Sequence, residues 1–70
     1  MKKTVYFASD NRSTQLLKAA IKDATDQRDA FISENSSSIA SIDSEKLKTV
    51  SSGSDNNMVS IIIQLSYTTL

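Results

Sequence analysis

The stretch Met58–Thr68, MVSIIIQLSYT, decides how this chain folds. If it is extended, successive side chains point to opposite sides, and Val59, Ile61, Ile63, Leu65 and Tyr67 share one face. The other face reads Met58, Ser60, Ile62, Gln64, Ser66 and Thr68, much of it polar. This alternation is rich in β-branched residues and free of Gly and Pro. It predicts a strand with one buried face and one partly covered face. Wound as a helix, the same segment would spread Ser60, Gln64 and Ser66 among the apolar residues. The rest of the chain has to supply a cover for Ile61, Ile63 and Leu65.

Reading back from that strand, Ser52–Asn57 holds the only glycine, Gly53, and reads as a turn. Residues 45–51 before it form a second strand candidate, with Leu47 and Thr49 facing inward and Lys46, Lys48 and Val50 outward. Residues 45–69 are therefore expected as an antiparallel hairpin. Residues 33–44 are expected as a Ser-rich loop, because Ile39 and Ile42 fall at intervals that fit no regular pattern; the competing reading is a poorly patterned extended segment from Ile39 onward. Further back, Leu17, Ala20, Ile21 and Ala24 recur at the spacing of one helical face. Phe31 can continue that face, so a helix is predicted over residues 11–33. The competing reading stops it near Gln27 and tucks Phe31 and Ile32 separately against the sheet. Ser9 or Asp10 is the expected N-cap, although neither has the Glu or Gln of a capping box three residues later. An alanine-rich stripe implies close helix–sheet approach. Residues 3–8 form the first strand, with Val5 and Phe7 on one face and Tyr6 on the other.

These parts predict a single α+β domain spanning residues 1–70, a two-layer β-α-β-β unit with one main helix on one sheet face. A right-handed crossover makes the first two strands parallel, and the long apolar strand fits between them. The three-stranded sheet then has the order 1-3-2. Two open edges remain, and Lys46 and Lys48 guard one of them against uncontrolled pairing.

Composition narrows what such a domain can do. Hydrophobic residues make up 39% of the chain and aromatics 6%, so the core is small. With no cysteine or histidine, neither disulfides nor thiolate or imidazole metal sites can reinforce it. The formal net charge is zero, from eight basic and eight acidic residues, which argues against nucleic acid or an anionic membrane as the partner. No apolar run reaches the roughly 18 residues of a membrane span. Met1-Lys2-Lys3 leads into a strand-like run and not into the apolar core of a signal peptide. A soluble, cytoplasmic chain is expected.

The chemistry-bearing residues are sparse. No serine lies in a Gly-x-Ser-x-Gly elbow. Ser13 or Thr14 with Lys18, and the acidic strip Asp23, Asp26 and Asp29, read as solvated helix polarity. Asp55 and Asn57 lack the ligand ladder of a calcium loop. No enzyme activity, cofactor or metal is expected. The one constellation suited to a ligand is Ser9, Asn11, Arg12, Ser13 and Thr14. It follows a strand and opens a helix, where N–H groups and a guanidinium could meet a small nucleotide-like anion. The leading expectation is a small accessory protein that binds or inhibits through protein–protein contacts, as a homodimer. Its interface would comprise Tyr6, Lys46, Lys48, Val50, Met58 and Ile62, the residues left on the sheet face away from the helix.

Overall fold

The computed structural model describes residues 1–70. In chain order it contains β1 (Lys2–Ala8), β2 (Arg12–Ser13), a 3-10 turn at Thr14–Leu16, α1 (Leu17–Glu34), β3 (Ile39–Ser52) and β4 (Met58–Thr69). β4 is the middle of the sheet. β1 and the short β2 pair along one side of it and β3 along the other, all antiparallel to β4. The last strand therefore lies between the first strand and the hairpin strand, as its apolar alternation predicts.

Burial alternates along β4. Val59, Ile61, Ile63 and Leu65 are buried, whereas Met58, Ser60, Ile62, Gln64 and Ser66 are only half-buried. Ile61, Ile63 and Leu65 pack with Phe7 and with Ala20 and Ala24 of α1. Both alanines have no accessible surface, so nothing longer than a methyl group separates the helix backbone from the sheet. Val5, Ile21, Phe31 and Ile32 close the margins. Phe31 stacks at an angle against both Phe7 and Tyr67, with ring centroids 5.5 Å apart in each pair, within the favourable range for tilted aromatic contacts. The helix runs on to Glu34, so Phe31 and Ile32 reach the core from the helix itself and not from a separate segment. Leu17, expected in the helix stripe, is 39% exposed.

Two boundaries depart from the sequence expectation. First, the α-helix begins at Leu17, not near residue 11. Arg12 and Ser13 are held extended by pairing with Val59 and Met58, and the Thr14 N–H donates to the Asn57 carbonyl at 2.9 Å. Ser13, not Ser9 or Asp10, is the capping residue, accepting from the Gln15 N–H into the 3-10 turn. Second, the loop expected over 33–44 is a turn at Asn35–Ser38, after which β3 starts at Ile39. Register shifts between Ile39 and Ser41 and between Ile42 and Ser44 each insert one residue. They carry Ile39, Ile42 and Glu45, three apart in sequence, onto one face of the sheet. No segment folds back over the helix-free face. Ile39 and Ile42 pair with Thr69 and Tyr67, and so lie on the same side as α1.

The chain reverses between β3 and β4 through Gly53, at φ 93°. An added Cβ there would meet only the tip of the Asn57 side chain, which can move aside, so it is the left-handed backbone that favours glycine. No helix is long and apolar enough to cross a membrane.

Candidate interaction surface

The uncovered side of the sheet is assembled by pairing. Residues directly opposite on adjacent strands project to the same face. Gln64 of β4 lies between Tyr6 and Lys46, Ile62 between Ala8 and Lys48, and Ser60 beside Val50, with Met58 beside Ser52. All six residues expected at an interface, Tyr6, Lys46, Lys48, Val50, Met58 and Ile62, therefore share the face opposite the helix. Tyr6 is 63% exposed and Val50 45%, while Ile62 and Met58 are half-buried among their neighbours. The face is an aromatic and aliphatic patch crossed by polar rows, flanked by two lysines on β3.

Its charge is unbalanced although the chain is neutral. Lys46 and Lys48 have no acidic partner among the ion pairs, which are Lys22–Asp26, Arg28–Asp29 and Arg28–Glu45. The acid on this side is Asp43, at the second bulge of β3. Its carboxylate accepts hydrogen bonds from Thr68 Oγ1 at 2.7 Å and Ser41 Oγ at 2.9 Å. These bonds, with a smaller contribution from the nearby Lys2 charge, hold its carboxyl below the usual aspartate range. On the helix side the charges neutralise one another. Arg28 reaches across to Glu45 of β3 and also contacts Asp29, which keeps the guanidinium protonated even more firmly than usual. This Arg28–Glu45 bridge is the one side-chain hydrogen bond between α1 and β3. β3 is otherwise bare: every residue from Ala40 to Ser52 is exposed.

The turn between β1 and α1 is built mainly for the sheet. Ser9 is buried; its N–H donates to the Ile61 carbonyl and its Oγ accepts from the Ile61 N–H, both at 2.9 Å. Asn11 Oδ1 accepts from Ser52 Oγ at 3.3 Å and Ser60 Oγ at 3.2 Å, tying the turn to both strands of the hairpin. Ser13 caps the 3-10 turn, and the Thr14 N–H is taken by Asn57. Of the five residues suited to an anion, Arg12 has a buried side-chain donor without a protein partner, its Nε. Lys2, Gln64 and Asp43 also belong to the helix-free face. Gln64 was readable from the alternation of β4, whereas Asp43 is placed there by a bulge that leaves no local signal.

Comparison with protein-family models, with curated proteins and with solved structures returns no match, so the function of this fold has to be argued from its own surface.

Proposed function

We propose that this chain is a small, non-enzymatic binding or inhibitory protein that acts through protein–protein contacts, and that its working form is a homodimer closed through the helix-free face of the sheet. One observation carries the reading. Tyr6, Val50, Met58 and Ile62 lie together on a face that no other part of the chain covers. Contiguous uncovered apolar surface usually marks an interaction site, and a two-fold axis lets one patch cover its own copy. Two such sheets pack face to face about 10 Å apart. Ile62 sits on the central strand, at the middle of the contact. Lys46 and Lys48 lie on an outer strand, where their stems can cover apolar neighbours while the ammonium groups reach water.

Light scattering at micromolar concentration tests the dimer. Twice the chain mass is expected, falling to the single-chain mass in Ile62→Asp. A monomer mass that does not change on concentrating the wild type overturns it.

A second reading has its own observation. The unpartnered Arg12 Nε favours a small anionic, nucleotide-like ligand at the β1–α1 turn. Native mass spectrometry of gently purified protein should then retain such an anion, and Arg12→Ala should lose it. Equal retention by both proteins removes the site.

A further inference from the structure

We infer that the free edge of β3 is a docking site for an extended segment of a partner protein in which acidic residues alternate with apolar ones. The inference deepens the protein-contact reading above and rests on it, but it does not require the dimer.

The sheet has two edges: that of β1 is uncovered only over the short run before Ala8, and that of β3 is longer. Along β1 and β2 the outward backbone is interrupted by the turn at Ser9–Asn11 and then capped by the helix. Gln27 Nε2 donates to the Ala8 carbonyl at 2.8 Å, and the Asp10 N–H donates to Asp23 Oδ2 at 3.2 Å. β3 has no such cover. It pairs with β4 alone, and its register is unbroken from Ser44 to Ser52. Over that length, about 30 Å of strand, alternate N–H and C=O groups point away from the sheet and can accept another strand. The two bulges that would deter pairing are confined to the other end, before Ser44.

Side chains along this edge specify what can be added. Lys46 and Lys48 project to the helix-free side without acidic partners, and Leu47, 50% exposed, projects between them to the helix side. A strand laid beside β3 places each of its residues on the same face as its opposite number. The matching sequence is therefore acidic opposite Lys46 and Lys48 and apolar opposite Leu47. A second copy of β3 fits the regular section poorly. Antiparallel self-pairing centred on Lys46, Leu47 or Lys48 sets lysine against lysine on one face, which is destabilising. The lysines thus disfavour those registers of self-pairing while favouring an acidic partner strand.

The test is an NMR titration of the full chain with a short blocked peptide alternating glutamate and valine. Shifts and slowed amide exchange are expected at residues 44–52. The lysine–valine counterpart should not bind, nor should a glutamate–valine peptide N-methylated at alternate residues. Reversing both charges, Lys46→Glu with Lys48→Glu, should weaken binding about tenfold. Lys2→Glu with Lys3→Glu on the far edge should leave it unchanged, and unaltered β4 amide signals verify the fold of each variant. The proposal is overturned by lack of binding, by equal binding of the lysine–valine or N-methylated peptide, or by shifts centred on Tyr6, Ile62 and Gln64. It is also overturned if β3 amides become protected on concentrating the protein alone, since a second copy would then hold the edge. If the edge fails while light scattering still gives the dimer, the protein-contact reading survives; if both fail, that reading falls with it.

Discussion

Ile61→Ala and Ile63→Ala are each expected to destabilise the fold by about 2–5 kcal/mol, the usual cost of truncating a fully buried isoleucine. Both side chains are essentially inaccessible, at 1% and 0% exposure, and both lie under the helix against Ala20 and Ala24. Neither alanine can move in to fill the void, because each already brings the helix backbone to the sheet. Small domains have only about 5–15 kcal/mol in hand, so either change can remove much of the margin. Ile62→Ala, on the same strand, should cost distinctly less in the monomer, because its side chain lies on the half-covered face. Denaturant unfolding of the three variants at low concentration makes the comparison. Equal losses at all three positions would show that both faces of β4 are buried under those conditions. A loss at Ile62 that grows with protein concentration would instead report the face being covered by a second copy, since a partner that binds only the folded chain adds to its stability.

That contrast could be read directly from the sequence, for a physical reason. Period-2 alternation over a dozen residues has no competing interpretation, and Val59, Ile61, Ile63 and Leu65 are placed by it alone. The close helix approach was legible as well, because a stripe of alanines at helical spacing can bury itself only by bringing backbones together. The six residues of the helix-free face follow from the same parity once the strand order is known. Two features were not legible, and both come from ladder irregularity. At Ile39 and Ile42 a spacing of three fits an extended segment poorly, and only a bulge between them restores a common face. Between Ala8 and Arg12 the pairing with β4 advances by one extra residue. Ser, Asp and Asn in that segment have the chemistry of a helix cap or an anion cradle. Long-range pairing with Val59 and Met58 overrides the local preference and delays the helix to Leu17.

Ser9→Ala is expected to cost about 1–3 kcal/mol, the penalty for leaving a buried backbone donor without an acceptor. In a regular ladder Ser9 and Ile61 would exchange two backbone hydrogen bonds. Here the Ser9 N–H still donates to the Ile61 carbonyl, but the chain has turned where the extra residue enters. The Ile61 N–H donates instead to the serine hydroxyl at 2.9 Å. That hydroxyl donates onward to the Asp10 carbonyl at 3.1 Å, so one buried oxygen serves the ladder and the turn together. Alanine removes the acceptor from the strand that carries the core. The volume removed is small, so the loss is one of hydrogen bonding and not of packing. Urea unfolding should register it, and amide exchange should place it, with the Ile61 N–H losing protection before its neighbours Ile63 and Leu65. An unchanged unfolding midpoint, with the Ile61 amide as protected as in the wild type, would mean that the turn can rotate a backbone carbonyl into the hydroxyl's place. Ser9 would then be an exchangeable turn residue, and the register shift between β1 and β2 would be stabilised by Asn11 and its bonds to Ser52 and Ser60 alone.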